Sequence, residues 1–337
     1  MDQGKIMGIK MEEIAQLCNV SRGTVDRALN NRPGINEGTR KRILAVAKEH
    51  NYRPHLLAAS LSKGITYSIG LVVFDLKNQY FSQISNVISK EATEDGYFTF
   101  IAVSEKDAER ESQILDNFAS RKVDGVILLP ITQGLKYVQH LSSLNTPIVT
   151  IVNQLAGIPH VHIDDKIAAY DSVKYIHEKG YQRICFICTP LRKKMTSDCS
   201  LNMSSQELRL EGVAKYMQEN PEIEYTTIFD KDFCEIAEEI IVGGNGRSAF
   251  LCSSDVHAIQ LLMYLVKRNY SIPGRVGVMG FDNLNILSLI RPRLTTMSTS
   301  IEEVGITALH TLMALINGEP IPAVQYVSHR IIDGETL

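Results

Sequence analysis

The chain has 337 residues, 44% of them hydrophobic, with a formal net charge of −3 and six cysteines. That length exceeds one ordinary core and implies roughly two to three structural units, while no stretch is long and apolar enough to span a bilayer. The opening MDQGKIMGIK lacks the apolar run of a signal peptide, so the protein is expected in the cytoplasm, without a membrane partner.

The charge is unevenly placed. Residues 1–63 hold eleven Lys and Arg against six Asp and Glu, a balance of +5, and the remainder holds 24 against 32, or −8. A basic head on an acidic body suits a polyanionic partner.

Taken in chain order, the periodicity predicts helices over 11–18, 21–29 and 36–49. In the first, Met11, Ile14, Ala15, Leu17 and Cys18 share one face, and Glu12, Glu13 and Gln16 point away. Asn19 can take the left-handed conformation of a tight interhelical turn, and Val20 plugs the corner. Ser21 caps the second helix, in which Val25, Ala28 and Leu29 are buried and Arg22, Gly23, Asp26, Arg27 and Asn30 form the opposite arc. Asn36 caps the third, with Ile43, Val46 and Ala47 as its stripe. This is a helix-turn-helix with one supporting helix. A plain helical bundle shows the same periodicity, but the polar arc carries donors that reach base edges and phosphates. Arg40, Lys41 and Arg42 fit backbone contacts or a solvated face.

The segments IKMEEIAQLCNVSRGTVDRALN, NEGTRKRILAVAKEHNYRP and HLLAASLSKG, within residues 9–64, resemble the DNA-binding head of the LacI/GalR repressor family, and the resemblance continues through nearly the whole chain. It implies that the three residues after the cap and the arginine near the helix end read the operator, here Arg22, Gly23, Thr24 and Arg27. With Ser21, Asn30, Arg40 and Leu61 they make the expected DNA-binding set. Two positions depart from the family pattern: Gly23 has no side chain to reach a base, and Asp26 stands where a small hydroxyl residue is common. Asp26 either clamps Arg22 one turn away, the preferred reading, or accepts from a cytosine amine. Pro54 stops the preceding helix, and the next ten residues can form only a weak helix alone. The resemblance makes this a hinge that folds on DNA, with Leu61 wedged into the minor groove and Ala58 and Ala59 allowing close approach. The alternative is a plain linker with one buried leucine.

From Tyr67 onward, strand-like runs at 68–74, 97–103, 123–130, 147–152, 183–188, 224–229, 248–253 and 275–281 alternate with helical stretches near 80–95, 107–121, 134–144, 165–179, 205–219, 232–242 and 254–268. Such alternation means parallel sheets covered by helices, and two sets of strands mean two doubly wound lobes enclosing a cleft. The expected fold is therefore a small all-α head joined to an α/β body of two parallel-sheet lobes. The resemblance makes that body periplasmic-binding-protein-like and adds chain crossovers. The expected boundaries are 1–53 for the head, 54–65 for the hinge and 66–337 for the body. Lobe one would take 66–163 and 295–320, and lobe two 164–294 and 323–337.

Cys185 and Cys188 form a C-x-x-C inside RICFIC, where strand spacing points them to opposite faces, so ordinary buried thiols are expected. His160 and His162 share a strand face just before Asp164; a strand at the lobe crossover is preferred to a metal site, which lacks a fourth ligand at helical spacing. Polar groups follow strands at Ser254-Asp255 and Phe281-Asp282-Asn283, where they can take sugar-like hydroxyls. The resemblance then supplies an effector-binding set: Tyr80 and Phe81 from NQYF, Asn153, Arg209 from RLEG, Phe233, Ser254 and Asp282. In the first of these motifs Gln79 replaces the family's proline, and Asn153 falls one residue late. Residues 191–205 read as a mobile polar loop at the pocket mouth.

The expected function is a dimeric, ligand-controlled DNA-binding regulator, a repressor with a near-palindromic operator and a sugar-like effector. It needs no cofactor and no metal and is not an enzyme: no P-loop, H-E-x-x-H, nucleophile elbow or strand-borne G-x-G-x-x-G is present. Within the same class, a protein co-regulator could replace the small molecule. From another class, a sugar-binding protein serving a transporter shares the two-lobe body, but the basic head and the absent leader oppose it.

Overall fold

The computed structural model describes residues 9–52, 64–188, 200–201 and 204–337. The hinge residues Ala58, Ala59 and Leu61, and most of 191–205, lie outside the described residues. The chain forms two compact units that meet at Thr66 and Tyr67.

The first unit holds α1 (Met11–Leu17), α2 (Arg22–Leu29) and α3 (Glu37–Glu49). Asn19 adopts φ 49°, the left-handed turn between α1 and α2, and the Ser21 hydroxyl accepts from the Thr24 amide at 3.2 Å as the α2 cap. Asn36 caps α3 by accepting from Gly38 N at 2.8 Å. Ile14, Cys18, Val25, Ala28, Ile43 and Ala47 close the core. Leu17 departs from expectation. It is 57% exposed, because Ile14, Ala15 and Cys18 already fill the side of this short helix that meets the core.

The second unit contains two six-stranded sheets. In chain order its elements are β1 (Ser68–Val73), α4 (Gln79–Glu94), β2 (Phe98–Val103), α5 (Ala108–Ser120), β3 (Gly125–Leu128), β4 (Thr132–Gln133), α6 (Leu135–Ser143), β5 (Ile148–Ile151) and β6 (His160–Ile163). There follow α7 (Asp165–Glu178), β7 (Arg183–Ile187), β8 (Ser200–Leu201), α8 (Ser204–Glu219), β9 (Glu224–Ile228), α9 (Phe233–Gly243), β10 (Ser248–Cys252), α10 (Asp255–Lys267) and β11 (Val276–Asp282). The last are β12 (Thr295–Ser298), α11 (Ile301–Ile316), β13 (Val324–Val327) and β14 (Arg330–Ile332). Lobe one is the parallel sheet β13-β6-β5-β3-β1-β2; lobe two is β14-β12-β11-β10-β7-β9, parallel except where β14 meets β12.

Burial on both faces explains the continuous apolar strands. In β1, Ile69, Leu71 and Val73 pack under α4 and α11, whereas Val72 faces α5 and α6. Cys188 and Cys185 likewise enter the cores on opposite sides of the lobe-two sheet. Each sheet reverses its strand order beside its first strand, which sets a crevice at the carboxyl ends of the strands.

The crossovers fall a few residues later than expected. Thr295–Ser298 still pairs with Met279–Asp282 in lobe two, and the chain leaves only at Thr299 and Ser300, the latter at φ 49°. It then lays α11 on lobe one and pairs Val324–Val327 with His160–Ile163 before returning as β14. In both segments the strand completes the sheet it is leaving. At the end of the 191–205 stretch, the backbone of β8 pairs antiparallel with β4, joining the lobes.

Candidate functional site

On the head, the polar arc of α2 is exposed at Ser21, Arg22, Gly23, Arg27 and Asn30, and half-buried at Thr24. Arg22 Nε pairs with Glu12 Oε1 at 3.2 Å, with both side chains largely solvated, so the pair is weak and readily exchanged. The Thr24 hydroxyl shares a 2.9 Å hydrogen bond with that of Ser21. Asp26 does not clamp Arg22. Its carboxylate accepts from Asn30 Nδ2 at 2.8 Å and from Arg32 Nη1 at 3.2 Å, because the chain turns back after α2 and brings Arg32 alongside. Arg40 is also held within the head: Nη1 donates to Asn31 Oδ1 at 2.5 Å and Nη2 to Arg32 O at 2.7 Å. With 14% of its side chain exposed, it fastens the turn between α2 and α3. Arg42 donates to Cys18 O at 3.0 Å, closing the end of α1. Arg27 is exposed on the polar arc of α2.

In the body, lobe two sets one guanidinium among buried carboxylates, and Tyr80 approaches them from lobe one. Arg209, on α8, is 4% exposed; its Nε donates to Asp165 Oδ1 at 2.7 Å and its Nη1 to Ser253 O at 2.6 Å. Nη1 stands 3.9 Å from Asp282 Oδ1, and the group lies over the Phe281 ring at 3.8 Å from its centroid. Burial works against its charge, and Asp165 with Asp282 outweighs that effect, holding the proton more firmly than usual.

Asp282 ends β11 with φ 122°, followed by Asn283 at 61°. These left-handed residues turn the chain sharply at the sheet edge. Burial raises the Asp282 carboxyl well above the ordinary range, with Arg209 opposing. Among the described residues no hydrogen bond reaches this carboxylate. Tyr80, 4% exposed, brings its hydroxyl toward Asp282 and Arg209. That hydroxyl has Thr299 beside it outside hydrogen-bonding geometry, and burial keeps it protonated. Phe81 packs edge-on against Tyr80 and Phe74 in the lobe-one core.

Other expected residues are placed differently. Asn153 is buried at 3% exposure, with its side chain hydrogen-bonded to Pro130 and Ser205. Phe233 sits in the lobe-two core, edge to face with His257 at 5.5 Å, and the Ser254 hydroxyl caps α10 and meets His257 Nδ1 at 3.0 Å. His160 and His162 are buried on β6. His160 Nδ1 meets the Thr150 hydroxyl at 3.1 Å, and His162 Nε2 lies 3.5 Å from Asp165 Oδ2. Burial lowers both rings to about 3, so they are neutral.

Asp165 and His257 were not singled out from the sequence, and Asp255 was named only as a polar group following a strand. Asp165 closes an I-D-D at the end of a strand, where Asp164 caps the next helix and Asp165 begins it. His257 carries no local signal. Asp255, fully buried, accepts from Leu284 N at 2.8 Å and the Thr296 hydroxyl at 2.6 Å. It thereby fixes the residues just after Asp282. Gly280 makes room for it: a Cβ there would stand 2.1 Å from Asp255 Oδ1.

Residues 10–55 match the model of bacterial regulatory proteins of the lacI family, and residues 173–337 that of the periplasmic binding protein-like domain. The chain is 29% identical over 339 residues to the HTH-type transcriptional regulator RegA of Clostridium saccharobutylicum, across 98% of this chain and 99% of that protein. The Lac repressor bound to ONPG in its repressed state shares the fold at a TM-score of 0.85 and 21% identity, over 98% of this chain and 100% of that one. A periplasmic binding protein/LacI transcriptional regulator from Alkaliphilus metalliredigens QYMF, complexed with D-xylulofuranose, matches at a TM-score of 0.67 and 26% identity, over 80% of this chain and 98% of that one. A helix-turn-helix head that fits the lacI model, a two-lobe body that fits the binding-protein model and full-length likeness to regulators of this kind place the chain in the LacI family of bacterial transcriptional regulators.

Proposed function

We propose that this LacI-family regulator is a cytoplasmic homodimeric repressor that binds a near-palindromic operator and senses a sugar or sugar-like molecule between its lobes. It acts by binding and catalyses no reaction. The observation that carries the effector reading is Asp282: a buried carboxylate 3.9 Å from Arg209 and near Tyr80, with no side-chain hydrogen bond among the described residues. The Tyr80 hydroxyl is buried without a hydrogen-bond partner, which is costly, and a ligand hydroxyl placed between it and Asp282 would serve both. Arg209 and Tyr80 could serve neighbouring ligand oxygens. The sugar bound to the Alkaliphilus relative supports the same ligand class. On the head, Arg22 and Arg27 present guanidinium groups suited to guanine edges.

An effector that binds one lobe arrangement better than another shifts the population, and the same difference in affinity couples the cleft to operator binding. The test has two arms. In vitro selection from random duplexes should yield a two-fold-related site, bound far more tightly than random DNA at physiological salt. Calorimetric titration with pentoses and hexoses, starting with D-xylulose, should then find a ligand that changes operator affinity. Equal binding to random DNA would sink the first arm. Heat from no sugar, with activity restored by a cell-extract protein, would replace the small molecule with a co-regulator.

A further inference from the structure

Val152 is a β-branched residue at φ 68°, a conformation that sterics make rare for such side chains. It is the centre of a γ-turn closed by the Asn153 amide, which donates to Ile151 O at 2.8 Å. Turns of this sign are rare and strained. The next residue shows what the turn achieves. Asn153 Nδ2 donates to Pro130 O at 3.1 Å within lobe one, and Asn153 Oδ1 accepts from Ser205 N at 3.3 Å and Ser205 Oγ at 3.1 Å. Both residues are at least nine-tenths buried.

Ser205 lies in the first turn of α8, in lobe two. First-turn amides have no partner within their own helix and need an acceptor from elsewhere. Here the acceptor comes from the opposite lobe. Arg209 follows four residues later, one turn along the same helix face, and reaches Asp165 and Ser253. We propose that Asn153 is a positioning residue, a helix cap supplied across the cleft, which registers α8 and its arginine against lobe one and does not itself grip the effector. The cap exists in one lobe arrangement and is lost when the lobes part. It therefore favours the closed arrangement before any ligand arrives. The role of Arg209 in that statement rests on the proposed effector site; the cap itself is tested without effector or DNA.

The experiment is hydrogen–deuterium exchange on the full-length, effector-free protein. In Asn153→Ala, amides of the first turn of α8 should exchange about tenfold faster, as expected for losing one buried hydrogen bond. Amides of β10 and β11 should keep their wild-type rates. Asn153→Asp retains the acceptor toward Ser205 and should restore protection, although it loses the donor to Pro130. Ser205→Ala keeps the amide bond and should fall between. Should Asn153→Ala fail to fold, the other two variants carry the test: wild-type-like protection in Asn153→Asp with faster exchange in Ser205→Ala supports the cap. Unchanged α8 exchange in Asn153→Ala, loosening spread evenly through lobe two, or no rescue by Asn153→Asp would overturn it.

Discussion

Asp255 accepts from the Leu284 amide and the Thr296 hydroxyl without solvent contact, and burial raises its carboxyl from 3.8 to about 7. The folded group thus holds its proton more tightly than the unfolded one. Its stabilising contribution is fully present below about pH 3.8 and lost as pH rises through about 7. Between about pH 4 and 7 the unfolding free energy of the ligand-free protein should fall, with a slope of at most about 1.4 kcal/mol per pH unit for this group, and level off above. Asp255→Asn resembles the protonated form, since its amide can donate to Thr296 Oγ1, and should flatten that slope; an unaltered slope would clear Asp255. Two glycines test space in opposite directions. At Gly280 a Cβ would press on Asp255 at 2.1 Å, so Gly280→Ala should destabilise by about 1–3 kcal/mol. At Gly23 the nearest atom to a Cβ is Ser21 Oγ at 3.8 Å. Gly23→Ala should therefore stabilise α2 by up to about 1 kcal/mol. Thermal unfolding of both variants checks the contrast.

At the scale of the element, the head separates arginines left exposed on α2 from arginines tied within it. Arg27 is exposed on the outer arc of α2, whereas Arg40 is tied to Asn31 and Arg32. Arg27→Ala should cost about 1–3 kcal/mol on the selected operator and much less on random DNA. Arg40→Ala should instead lower the head's melting temperature and leave the salt dependence of DNA binding unchanged; a slope reduced by about one would return Arg40 to the phosphates. The same distinction explains what the chain disclosed unaided. Continuous apolar runs such as SIGLVV and RICFI, and helices with one apolar face, were legible because each element's burial is written in its own residues. The partner of a short strand is not. TTMS pairs with both β11 and β14, and VQYV returns to β6 more than 160 residues away. Within the candidate site, motif resemblance named Arg209 and Asp282, which the fold brings to 3.9 Å. The Asp165 contact spans 44 positions and the Asp255–Leu284 bond 29, so neither leaves a local pattern. The Asp26–Arg22 clamp failed, and the ties of Arg40 went unread, for the same reason: a chain reversal near Arg32 decides their partners.

Across the whole body, the proposed effector site concentrates buried carboxylates around one guanidinium. They are Asp165, Asp255 and Asp282, and burial raises all three carboxyls. Removing the Asp282 charge relieves repulsion while preserving shape. Asp282→Asn should therefore melt at or above the wild-type temperature, yet lose the effector response. Arg209→Ala differs, because it strands Asp165 and Asp282 in a low-dielectric site. Loss of one partner from a buried pair costs about 3–5 kcal/mol, so its effector response can be judged only where the variant is shown to be folded. Operator binding discriminates the sign of control. If the effector is an inducer, Asp282→Asn should stay on the operator when effector is added. If it is a corepressor, the variant should fail to bind the operator even with effector present. Moving a two-state population from 1:99 to 99:1 requires a difference in ligand affinity of about 5.5 kcal/mol between states, so losing a contact made in one lobe arrangement can abolish the response. The decisive pair of measurements is calorimetry of Asp282→Asn with a ligand identified on the wild type, and an operator titration with that ligand present. Near-native ligand affinity in the folded variant would place the effector elsewhere in the molecule.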